Sequence, residues 1–231
     1  MKKAVLSFSA LVGLALAAQA SNVIATNFVQ GPTNTGLSHP LISAVSSTLL
    51  PNGSGTLAVG FFNVPDGVLD AIDSIPAGPG RRAAWQSAIT QFVQFGTSAT
   101  VGGAAAGNTP GLYKFTVGTA VVPGSTFESK NIYTVVGTGN TLAGSDEGLI
   151  FKADTPFATD PTPSANADFV GTPPAGTLLV GALEGGTQAF YATGPLGGQQ
   201  LTAARLAAIP EPTALCISML GFAGLVFRRR R

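Results

Sequence analysis

Apolar and polar residues alternate with period two in several short stretches of the chain, the pattern of strands that turn one face inward. Val23 to Val29 is the first of these stretches. Within 56–62, Leu57, Val59 and Phe61 share a face; within 111–117, Tyr113, Phe115 and Val117 do so opposite Lys114 and Thr116. Ile132 to Val136 is rich in β-branched residues, and Leu149, Phe151 and Ala153 alternate with Ile150 and Lys152. Thr177 to Leu183 and Thr187 to Ala192 flank Glu184, Gly185 and Gly186. A Gly-Gly pair permits the positive φ angles of a tight turn, so these two stretches predict a hairpin. A last strand is expected over Gln199 to Leu206.

One segment follows the other period. Between Arg81 and Phe95, residues Trp85, Ala88, Ile89, Phe92 and Val93 recur at helical spacing, Gln86, Thr90, Gln91 and Gln94 lie off that stripe, and Gly96 follows as a stop. The spacing predicts one amphipathic helix over 81–95, packed by its Trp85 face, with a short helical turn at Asp70 to Ser74 before it. Residues 102–111 and 155–174 read as loops. No fixed-period repeat is present, which disfavours a solenoid or propeller. The expected fold is mainly β: a β-sandwich of jelly-roll type with one amphipathic helix.

Composition sharpens this picture. Only 10% of the 231 residues are charged, against roughly 25% in an average soluble domain. Gly (30) and Pro (16) are plentiful while 45% of residues are hydrophobic, a balance that fits a folded, turn-rich body better than a disordered one. The formal net charge of +1 conceals an asymmetry: Lys2, Lys3 and Arg228 to Arg231 sit at the ends, and residues 21–209 carry six cations against ten carboxylates, a net −4. An acidic body with scattered cations lacks the electrostatic footprint of a nucleic-acid binder. Cys216 is the one cysteine and lies near the C-terminus, so the body has neither a disulfide framework nor a cysteine-based site.

The body offers little for catalysis. A serine hydrolase needs a histidine base; the one histidine, His39, precedes Pro40 and is expected in a turn at the surface. One histidine and no body cysteine cannot fill a usual zinc site. Asp66, Asp70 and Asp73 miss the spacing of a calcium loop and read as solvated turn and helix-start residues; Asp146 and Glu147 read as a polar loop. Trp85 and Tyr113 fall on apolar stripes and are assigned to the core rather than to an exposed sugar platform, and the threonines form no ranks of the kind that would bind ice. No catalytic residue, metal ligand or cofactor is expected, and the protein is not expected to be an enzyme.

The two ends are more informative. Lys2 and Lys3 precede the apolar stretch Ala4 to Ala17, and Ala18-Gln19-Ala20 places small residues at the −3 and −1 positions of a signal-peptidase site, with cleavage between Ala20 and Ser21. At the other end stand Pro210, Glu211 and Pro212, then an uncharged apolar run over 213–227, then Arg228, Arg229, Arg230 and Arg231. Two prolines flanking a glutamate fit neither a helix interior nor a central strand. The run would reach about 22 Å as a helix, short of a ~30 Å hydrocarbon core, so bilayer thinning and snorkelling arginines would have to close the gap. An arginine cluster is retained on the cytoplasmic side. The division that follows is a signal peptide at 1–20, a body at 21–209 and a tail at 210–231.

This triplet, apolar helix and arginine cluster resemble the PEP-CTERM sorting domain, a tail also described as an ice-binding protein C-terminal domain. The resemblance covers the tail alone. It implies export through the inner membrane, transient anchoring with the body in the periplasm, and recognition by an exosortase that removes the tail. Pro210, Glu211 and Pro212 take the place of the sorting motif, and delivery to the outer surface or extracellular matrix follows. Signal peptidase, exosortase, the inner membrane and exopolysaccharide are the implied partners. The expected role is that of an envelope or matrix protein; the alternatives are a carbohydrate-binding module and, below it, a polysaccharide-active enzyme.

Overall fold

Strands carry most of the regular structure. The computed structural model describes residues 22–29, 37–118, 125–157, 165–171, 173–194 and 196–210. The elements in chain order are β1 (Asn22–Thr26), β2 (Leu41–Ile42), β3 (Thr56–Phe62), α1 (Asp66–Ser74), α2 (Pro79–Thr90), β4 (Phe92–Gln94), a 3-10 turn (Ala104–Ala106), β5 (Lys114–Gly118), β6 (Asn131–Gly137) and β7 (Glu147–Pro156). They continue with β8 (Ala165–Asp168), β9 (Thr177–Val180), β10 (Ala182–Leu183), β11 (Gln188–Ala189), β12 (Gln200–Leu201), β13 (Ala204–Arg205) and β14 (Ala207–Ala208). Among the described residues no helix is long and apolar enough to cross a membrane.

The largest sheet is antiparallel and runs β4-β3-β6-β7. Strand β6 occupies one edge of β7, so β14 and β9 share the other: β14 lies beside Glu147 and Gly148, and β9 beside Ile150 to Lys152. A second sheet, β5-β1-β8, pairs β1 antiparallel with β5 and parallel with β8. Two smaller ladders are β10-β13-β2 and β11-β12. The sheets share one apolar core: Val23 and Ala25 of β1, Val117 of β5 and Ala167 of β8 join Leu57, Val59, Val135 and Phe151 of the large sheet in one cluster. Strands β3 and β6 are buried on both faces nearly end to end, whereas β1 keeps the alternation expected of a half-covered strand.

The structure changes several expectations. The predicted helix over 81–95 begins at Pro79 and ends at Thr90; Phe92 to Gln94 form β4 on the edge of β3. Pairing competes successfully here because Gly60 leaves room: a Cβ at that position would collide with the Val93 carbonyl and the Phe92 ring. The short turn expected at 70–74 is a nine-residue helix that starts at Asp66. The hairpin expected through Gly185 and Gly186 does not form. The 177–183 stretch divides at Gly181, which has φ +98°; β9 then pairs with β7, β10 with β13, and β11 with β12. The expected loop 155–174 holds β8, and the loop 102–111 holds the 3-10 turn.

His39 is a further correction. It is buried, not in a surface turn. Nδ1 lies 2.9 Å from the Thr202 carbonyl oxygen and Nε2 2.7 Å from that of Gly171, with the ring 5.2 Å from Phe169. The side chain therefore ties three distant segments together. Trp85 and Tyr113 are buried in the core, where their stripes place them.

Candidate sorting site and surface cleft

Residues at the start of β7 hold β14 and Ile209 in place. Ala207 and Ala208 pair with Gly148 and Glu147. The Ile209 amide then donates to the Asp146 carbonyl at 2.6 Å, and Ile209 is fully buried. Two consecutive arginines of α2 complete the clamp. Arg82 donates to the Ile209 carbonyl at 3.2 Å and to the Asp146 carboxylate at 3.0 Å. Arg81 donates to the carbonyls of Ala208, Ile75 and Asp73. Helix α2 is itself seated by Trp85, whose Nε1 donates to the Leu142 carbonyl at 2.7 Å. The indole lies over Gly148 so closely that a Cβ there would collide with the ring.

The neighbouring acidic residues are used locally. Glu147, read as part of a polar loop, is the buried first residue of β7. Its carboxylate accepts from the Ser43 hydroxyl at 2.8 Å and the Ala44 amide at 2.9 Å. Asp73 accepts from the Gly181 amide at 2.7 Å. Burial raises its carboxyl above the ordinary value, against the pull of that hydrogen bond and of Arg81.

A different arrangement stands about 17 Å further along β7, five residues on at the usual rise. Asp66 opens α1 and accepts from the Tyr133 hydroxyl at 2.6 Å and the Lys152 ammonium at 2.7 Å. Partial burial pushes the Asp66 carboxyl up, but Lys152 and Tyr133 outweigh it and leave the group below its ordinary value. Burial and the facing carboxylate push the Tyr133 phenol upward. Asp66 and Tyr133 border a cleft of about 320 Å³ lined also by Phe61, Phe62, Val64, Pro65, Lys130 and Asn131. The Lys130 ammonium stands 5.7 Å above the Phe61 ring. Convergent polar groups beside apolar walls are the usual form of a small-molecule site. Among the described residues no three of His, Cys, Asp and Glu gather closely enough to hold a metal ion.

Of the residues singled out at the ends, Pro210 alone is described, directly after the clamped Ile209. Ala18, Ala20, Ser21, Glu211, Pro212 and Arg228 to Arg231 lie outside the described residues, as does the helix expected over 213–227. The α2 arginines, Glu147 and Asp66 were not foreseen in these roles. The one sequence cue was the placement of Arg81 and Arg82 next to each other on the predicted helix.

Residues 208–231 match the PEP-CTERM protein-sorting motif. The match begins within β14, at Ala208, and runs through the arginine cluster. The protein is thus an exosortase-targeted exported protein, whose sorting includes transient anchoring in a membrane. Neither a curated protein nor a solved structure matches the chain.

Proposed function

We propose that this is a non-enzymatic envelope or matrix protein, cleaved after Ala20 by signal peptidase, anchored with its body in the periplasm, and freed by exosortase to the outer surface or the exopolysaccharide matrix. The observation that carries this reading is the continuity between fold and motif. The sorting motif begins on the last paired strand of the body, so the body is the cargo that the tail delivers. The body itself is read as a two-layer sandwich, a reading supported by the single apolar core common to the β4-β3-β6-β7 and β5-β1-β8 sheets.

The test uses the full chain in a host that makes exosortase, with a tag inserted between β7 and β8, and determines both termini by mass spectrometry. An N-terminus at Ser21 and a C-terminus within 210–212 are expected. A chain still ending at Arg231 in the inner membrane would overturn release. One observation favours a second reading, a carbohydrate-binding module: the cleft beside Asp66 sets Asn131, Lys130 and the Asp66 carboxylate against apolar walls. Retardation of the released body in gels of host exopolysaccharide, abolished by Asp66→Asn, would support it. Unaltered mobility would leave the structural role.

A further inference from the structure

The last described strand is held without slack. Ile209 is buried at 0% exposure, and both its amide and its carbonyl are held, by Asp146 and Arg82. The uncharged apolar run begins at Thr213, four residues on. Four residues span at most about 14 Å even when fully extended. The headgroup layer on each side of a bilayer already takes up roughly 5–7 Å. A chain anchored through 213–227 therefore has no room to hold its body away from the lipid.

The end of β7 at which the chain leaves also carries the most exposed large apolar residue among those described. Val45 is 79% exposed. Its turn is fastened to the exit, because Ser43 and Ala44 bind the carboxylate of Glu147, the residue paired with Ala208. Of the carboxylates nearest the exit, Asp146 is paired with Arg82, and Glu147 is buried with its oxygens bound by the Ser43 hydroxyl and the Ala44 amide. That lowers the cost of bringing this surface to the headgroups. We propose that the Glu147 end of the body, with Val45 at its rim, rests on the bilayer surface while the protein is anchored. The opposite end, with the Asp66 cleft, faces away from the membrane. The inference rests on the reading of 208–231 as a membrane-anchored sorting tail.

The probe is a bimane label on a single introduced cysteine, Val45→Cys or Val68→Cys, in the full chain carrying Cys216→Ser. Val68, 49% exposed, follows Asp66 closely on α1 and serves as the distal reference. The chains are reconstituted into vesicles of phosphatidylethanolamine and phosphatidylglycerol containing a headgroup-linked quencher. Loss of emission is expected at position 45 and none at 68. A flexible Gly-Ser spacer of roughly ten residues between Ile209 and Pro210, which adds on the order of 16–19 Å of reach, should restore emission at 45 with the chain still bound. Equal quenching at both positions, or quenching at 45 that persists with the spacer, overturns the contact. A chain that fails to float with the vesicles after alkaline wash overturns the tail reading, and the contact with it.

Discussion

At the Glu147 end of β7 the polar side chains are engaged by the protein itself, whereas at the Lys152 end they border open space. Arg82, Asp146, Glu147 and Ser43 bind one another, nearby amides and the carbonyl of Ile209, over a buried indole. Tyr133 and Lys152 both donate to Asp66, but here Asp66 and Tyr133 form part of the wall of a cleft, with Asn131 and Lys130 exposed beside them. The same residue types thus do different work. Arg82 and Glu147 are buried, and a buried charge that loses its partners is left unsatisfied at high cost, so the first end can hold β14 in a fixed place. Pairs open to solvent contribute little to stability, so the second end is free to be shaped by what it meets.

Five substitutions sharpen this contrast or break it. The largest effect is expected from Trp85→Ala, which empties the contact between α2 and Gly148 and should cost about 3–5 kcal/mol in urea unfolding. Arg82→Ala should follow. It leaves the Ile209 carbonyl and Asp146 without that donor, at about 1–3 kcal/mol, and should speed amide exchange at Ala207 to Ile209 ahead of the rest of the large sheet. If those amides stay as protected as their neighbours, the clamp is not what holds β14.

The next contrast concerns pH. Asp66 has a folded value below 3.8, so it contributes stability above that pH, lost as pH falls through the lowered value. Asp73 has a folded value above 3.8, so its contribution is present below that pH and is lost as pH rises through the raised value. Asp66→Asn should therefore weaken the protein at neutral pH, and Asp73→Asn, which keeps an acceptor for Gly181, should relieve it there. Unfolding midpoints measured between about pH 3 and pH 7 should diverge in opposite directions for the two variants. The smallest effect is expected from Lys130→Ala at the cleft, within about 0.5 kcal/mol. A cost matching that of Arg82→Ala would end the distinction between the two ends.

How far these features were legible in the sequence differs by element. The strands at 56–62, 132–136 and 149–153 were readable because their alternation or β-branched content survives in long central strands. The segment 92–94 was not, since Phe92 and Val93 satisfy a helical stripe and a strand equally well, and the space left by Gly60 decides between them. The Gly185-Gly186 turn failed for a related reason. Glycines permit a hairpin without requiring one, and Leu183 found a better-placed partner in Ala204. His39 looked like a turn residue because the carbonyls of Gly171 and Thr202 that bind it are more than a hundred residues away.

The sequence by itself determined the address. Sorting signals are read locally, from an apolar run of a given length, a proline-flanked glutamate and a charge cluster, and the match at 208–231 needs no fold around it. Tertiary structure alone decided that the motif starts on a strand held by Arg81 and Arg82, that Glu147 fastens the Val45 turn beside it, and that Asp66 and Lys152 meet at the far end of β7. Those contacts join residues from 86 to 127 positions apart. Their partners are selected by which strands pair and which faces are buried, a choice made by the whole core together and not by any one segment.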